Sequence, residues 1–147
     1  MFRSFMSRAL DEARAAAARG EVPVGAVVTM GDGVLAAAGN RCRELSDPTA
    51  HAEMLAIRAA CAALGSERLS GATLWVTLEP CAMCAQAVAH ARLDRLVYGA
   101  ADPKSGGVAQ GARVFAHPQT HHGPEVLDGV DEAACAALLR DFFAARR

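Results

Sequence analysis

His51, Glu53, Cys81 and Cys84 are the residues of this 147-residue chain whose types and spacing can do chemistry together. One histidine and two cysteines supply nitrogen and sulfur, the donors that zinc prefers. Three protein ligands leave the fourth tetrahedral position for water, which separates a catalytic zinc from a closed structural one. Cys81 and Cys84, in Pro80-Cys81-Ala82-Met83-Cys84, stand one helical turn apart, so both sulfurs can face one ion. Glu53 follows His51 by two residues and can reach a metal-bound water without ligating the metal. A glutamate so placed can take the proton that zinc makes labile and return it to a leaving group.

These residues need elements to hold them. Apolar spacing over 2–19 (Phe2, Phe5, Met6, Ala9, Leu10, Ala13) predicts an amphipathic helix that Gly20 ends. Residues 22–30 and 34–38 read as strands around a hairpin at Gly31-Asp32-Gly33, with a polar loop over 40–48 behind them. A helix is expected from about Thr49 through Cys61, closed by Leu64-Gly65, then a buried strand over 72–78. The Glu79-Pro80 break leads to a helix over 81–91, because proline suits a first turn. A short strand over 93–98, loops over 102–111 and 117–124, a strand at Val126-Leu127 and a helix over 131–145 complete the reading. Both ligand segments therefore open helices, where the positive end of the helix dipole favours thiolates and an ionised glutamate. A hairpin followed by strands alternating with helices predicts an α/β domain with a mixed sheet.

The gross numbers bound the rest. The length suits one domain over 1–147. With 52% hydrophobic residues there is enough material for a sizeable core. A net charge of −1 excludes a globally cationic binder of nucleic acid, so an RNA partner needs a local patch. No apolar run reaches the length of a membrane span. Arg3, Arg8, Asp11, Glu12 and Arg14 interrupt any signal-peptide core, so a cytoplasmic location is expected. Five cysteines that include a C-x-x-C favour metal or catalysis over a disulfide framework in a reducing compartment.

C-x-x-C alone does not decide the chemistry. A closed zinc site would need a fourth ligand from His90, His117, His121 or His122, whereas a redox pair would leave His51 and Glu53 idle. Cys42, Cys61 and Cys135 read as ordinary residues, and Trp75 as core or subunit interface.

The conjunction of His-x-Glu with Pro-Cys-x-x-Cys is a known signature of zinc deaminases that act on nucleobases. The likeness extends over Glu21-Val22-Pro23-Val24-Gly25-Ala26-Val27, Asn40-Arg41, Asp47-Pro48-Thr49-Ala50-His51-Ala52-Glu53 and Val76-Thr77-Leu78-Glu79-Pro80. It continues through Asp102-Pro103-Lys104-Ser105-Gly106 to Asp141-Phe142-Phe143 and Arg146-Arg147. On these residues the chain resembles the bacterial tRNA adenosine deaminases of the cytidine/deoxycytidylate deaminase superfamily. The resemblance implies a cytidine-deaminase-like, three-layer α/β/α fold with a five-stranded mixed sheet. It also implies a homodimer with one Zn2+ per subunit, bound by His51, Cys81 and Cys84. The implied reaction is hydrolytic conversion of adenosine to inosine at the wobble position of an arginine tRNA. Zinc-bound water would attack adenine C6, with Glu53 as proton shuttle. The anticodon loop would be the partner, presenting its base out of the stack.

By the same resemblance, Asn40 contacts the target nucleoside and Asp102 the RNA near the edited base. Lys104 and Ser105 contact phosphate or sugar, and His121 stands where the family often has Asn. Phe143, beside Phe142, would flank an unstacked base, while one of the two belongs to the core. Ala101 stands where family members often carry Arg. Two rival readings share the metal site: a deaminase of free bases or nucleosides, and a non-catalytic RNA-binding protein with a vestigial zinc. Glu53 argues against the second, since a structural zinc needs no unliganded carboxylate beside it.

Overall fold

Side-chain alternation in the central strands decides the architecture. Val27, Trp75 and Val97 pack among Phe5, Met6, Ala9, Leu10 and Cys135. Their neighbours Ala26, Val28, Leu74, Val76, Leu96 and Tyr98 pack instead among Ala52, Ala56, Ile57, Ala60 and Val88. A strand turns successive side chains to opposite faces, so both faces of this sheet are apolar and both need a helical cover.

The computed structural model describes residues 3–146, so Phe2 and Arg147 lie outside the described residues. The elements run α1 (Met6–Ala18), β1 (Gly25–Met30), β2 (Gly33–Gly39), α2 (Cys42–Leu45), α3 (Ala52–Leu64) and β3 (Ala72–Leu78). They continue with α4 (Ala82–His90), β4 (Arg95–Ala100), β5 (Glu125–Leu127) and α5 (Glu132–Ala144), with a 3-10 turn at Val114–Ala116 before β5. The sheet order is β2-β1-β3-β4-β5. β1 pairs antiparallel with β2 and β3, and β4 pairs parallel with β3 and β5. α1 and α5 cover one face, α3 and α4 the other. The result is the expected three-layer α/β/α arrangement around a five-stranded mixed sheet.

α1 sits unusually close to β1. A Cβ on Gly25 would lie 1.9 Å from the Ala9 carbonyl oxygen, so only glycine lets the helix backbone approach there. β1 begins at Gly25, later than expected, because Pro23 has no amide to donate and the Val24 amide turns back to the Val22 carbonyl. β4 likewise begins at Arg95, since Arg92 adopts a left-handed conformation (φ 60°) and the Leu93 amide returns to Val88. One turn of helix, α2, occupies a stretch expected to be loop.

The parallel pair β3 and β4 sets the place of the chemistry. β3 runs out into Glu79-Pro80-Cys81 and β4 into Ala101-Asp102, so both segments emerge side by side at the carboxyl ends of the strands. Open α/β sheets bind their ligands at such ends.

Candidate metal centre and its cavity

His51 is the cap residue before α3 and Cys81 the cap residue before α4, with Cys84 inside the first turn of α4. His51 is presented by a tight loop: Asp47 Oδ1 accepts both the Thr49 amide and its hydroxyl, and the His51 amide donates to the Thr49 carbonyl. His51 Nδ1 lies 3.6 Å from Cys81 Sγ and 3.5 Å from Cys84 Sγ. The three donor atoms lie within 4.8 Å of one another. A tetrahedral zinc with ordinary bond lengths puts nitrogen and sulfur about 3.6 Å apart, so this donor set fits the ion. Imidazole and thiolate are also the soft and borderline donors that suit it.

The protonation of the cluster fits as well. Donation from Cys84, with His51 beside it, pulls Cys81 down to about 4 despite its burial. Cys84 is pushed far up, first as the donor to Cys81 and then by burial. A cation bound by these donors would displace the protons they carry. His51 is raised, first by its bond to Cys81.

Glu53 lies in the first turn of α3, buried to 4% exposure. Burial pushes its carboxyl up to about 7. That places its proton affinity near neutrality, where a group can both take and give a proton. Glu53 is not in the donor set, yet it lines the same cavity as His51 and Cys81. That cavity measures about 290 Å³, the small end of the roughly 300–1,000 Å³ range of small-molecule sites.

No fourth histidine closes the centre among the described residues. His117 pairs through Nε2 with the Ala112 carbonyl, and His122 with the Leu93 carbonyl. His90 and His121 line a separate small cleft. The site is open.

The model of the MafB19-like deaminase family matches residues 2–147. A tRNA-specific adenosine deaminase of Agrobacterium fabrum is 56% identical over 143 residues, covering 97% of this chain and 94% of its own. The chain belongs to the tRNA-specific adenosine deaminase family. A solved structure from work on A-to-I editing by tRNA:A34 deaminases at the wobble position superposes with a TM-score of 0.90 at 56% identity. It covers 92% of this chain and 98% of that one, so the fold is cytidine-deaminase-like. A guanine deaminase from Nitrosomonas europaea, 28% identical, superposes with a TM-score of 0.82 over 95% of this chain and 82% of its own.

Around the deaminase centre, two carboxylates missed in the sequence shape the cavity walls. Glu21, 2% exposed, accepts the amides of Arg43 and Glu44, so it caps the short helix α2 from below. That bond explains why α2 forms where periodicity showed only loop, and it brings Cys42 and Arg43 to the cavity. Glu79, equally buried, holds the loop after β4. In sequence both look like any charged residue.

The other expected site residues divide. Asn40 lines the cavity, and its Oδ1 accepts the Ala52 amide at 2.7 Å. With the oxygen committed to a donor, the amide NH2 is the group left to offer a ligand. Asp102 and Ser105 line the cavity too, but Asp102 Oδ1 is occupied by the amides of Lys104 and Ser105. Lys104 and Phe143 line a neighbouring groove of about 780 Å³ with Arg146 and Leu139. Phe142 is core at 8% exposure, under the Arg146 guanidinium, whereas Phe143 is 47% exposed. His121 stands apart, in the cleft with Gln86, His90 and Arg92. Trp75 is core, and Cys135 is buried with its thiol pushed up to about 11 by desolvation. No described helix is long and apolar enough to cross a membrane.

Proposed function

We propose that this deaminase hydrolyses the wobble adenosine of an arginine tRNA to inosine, releasing ammonia, as a cytoplasmic homodimer with one zinc per subunit. One observation carries the reading. The base-sized cavity opens into a groove with which it shares Val22, Leu78, Asp102 and Ser105, and that groove offers a cation, an exposed aromatic ring and an arginine. A free base needs only the first space. A strand with one base flipped out needs both, because its flanking nucleotides stack and its phosphates require positive charge.

His51, Cys81 and Cys84 would hold the zinc ion, which would supply a Lewis acid that makes water nucleophilic at neutral pH. Glu53 takes one proton from the attacking water and delivers it to the adenine ring nitrogen as the C6–O bond forms, then takes the second proton from the new C6 hydroxyl and passes it to the amine as the C6–N bond breaks. The Asn40 amide donors orient the nucleoside from the cavity wall. Lys104, Ser105 and Phe143 hold the flanking RNA. Asp102 shapes the loop that carries Lys104 and Ser105, its Oδ1 already engaged by that loop's own amides.

The rival reading is a free-base deaminase, favoured by the likeness to the guanine deaminase fold. Inosine formation in an anticodon stem-loop of arginine tRNA, run beside free adenosine, cytosine and guanine, separates the two. Conversion of the wobble adenosine alone supports the proposal. Ammonia released only from a free base overturns the tRNA substrate and leaves the metal chemistry standing.

A further inference from the structure

Glu79 is a buried carboxylate that forms no salt bridge with any cation among the described residues. Its Oε1 accepts the Asp102 amide at 3.0 Å, and its Oε2 accepts the amides of Val108, Ala109 and Gln110 at 3.1, 2.9 and 3.1 Å. An ionised carboxylate has about four acceptor positions, and four backbone amides meet them. Bonds to an ionised acceptor are the strong kind, and here one side chain gathers both ends of the loop. The loop closes over it tightly. A Cβ on Gly106 would lie 2.5 Å from Glu79 Cδ.

The same loop is laid against the metal-ligand turn. The Gly107 amide donates to the Pro80 carbonyl at 2.8 Å, and Cys81 and Gly106 form an isolated antiparallel bridge. Glu79 is itself tied in place by its amide on the Ala100 carbonyl, across the parallel pair. One residue thus joins β3, β4, the Cys81 turn and the loop that carries Asp102, Lys104 and Ser105.

We propose that Glu79 is a positioning residue for the polynucleotide: it latches the 102–110 loop so that Ser105 stands at the junction of cavity and groove and Lys104 in the groove. It lines the cavity wall but is not one of the three donors that could hold the metal. The loop serves the flanking strand, so loosening it weakens capture of RNA while leaving the chemistry of a bound base nearly intact. This rests on RNA being the substrate.

Glu79→Gln keeps the shape but turns one acceptor oxygen into an NH2 that faces amide donors. The expected result is a KM for the anticodon stem-loop raised about tenfold, with kcat changed less than about threefold and metal content unchanged. Gly106→Ala pushes on the same carboxylate from the loop side and is expected to give the same split. Hydrogen exchange on the wild-type holoenzyme tests the latch without any variant: amides of Asp102 and 108–110 are expected to be protected well beyond neighbouring loop amides. Free exchange there overturns the latch. So does an unchanged KM in both variants, or a fall in kcat at constant KM. Absence of inosine with the wild-type enzyme would instead overturn the RNA substrate, which the exchange result does not depend on.

Discussion

Asn40 Oδ1 lies 2.7 Å from the Ala52 backbone nitrogen, tying the end of the hairpin to the helix start between His51 and Glu53. The residue ending the hairpin therefore fixes the helix end on which the chemistry stands. Its carbonyl is held in turn by Arg19 of the segment after α1.

The two roles of Asn40 can be separated. Asn40→Ala is expected to lose about 1–2 kcal/mol of stability, because a buried amide is left unpaired, together with most activity. Asn40→Asp keeps the acceptor, and a carboxylate suits a helix N-terminus, so its melting temperature should stay near wild type. Its activity should still fall, since the amide donors are gone. Full activity in the Asp variant would show that Asn40 only builds the turn.

Glu53→Ala should retain metal, because Glu53 is outside the donor set, while turnover falls roughly a thousandfold or more. Metal analysis and single-turnover kinetics on the same preparation check this. Near-wild-type turnover in the metal-replete variant would remove the proton-shuttle role.

Cys84→Ser should lower zinc content below one per chain, since a serine hydroxyl is not a thiolate donor. A strong chelator should lower the melting temperature of the wild type and shift the variant less, because a bound ion stabilises the folded state. Unchanged stoichiometry in the variant would mean that the ligand set is wrong.

Adjacent phenylalanines should behave oppositely. Phe142→Ala, in the core, is expected to cost about 3 kcal/mol of stability. Phe143→Ala should leave stability within about 0.5 kcal/mol, as surface changes do. If its ring stacks on a flanking base, the KM for the stem-loop should rise about tenfold. Equal melting curves for both variants would contradict the burial difference.

Tyr98 is the chain's single tyrosine, so its ionisation can be read directly by phenolate absorbance. Burial, helped by Glu79 and Asp128, pushes its hydroxyl up to about 12 from an ordinary 10.0. The folded state therefore holds this proton more tightly than the unfolded chain. The stability it contributes is fully present below about pH 10 and is lost as pH rises through about 12. A native titration midpoint near 10 would show that the ring is wetter than its 2% exposure indicates.

His51, Glu53, Cys81 and Cys84 were legible because each pair is local. His51 and Glu53 share one helix end and Cys81 and Cys84 another, so spacing along the chain already reports on space. The two-faced sheet was legible in outline, because alternation and helical spacing are written in neighbouring residues. Only the tertiary structure could place Glu21 and Glu79, whose partners are backbone amides 22 to 31 positions away. Backbone amides have no letter in the sequence, so a carboxylate that binds them looks like one that faces water. For the same reason α2 was read as loop, since a single turn has no period and its cap comes from Glu21. Phe142 and Phe143 were separable only as a pair of opposites; which one is buried depends on how α5 is rotated against the sheet, a choice made by contacts with distant residues.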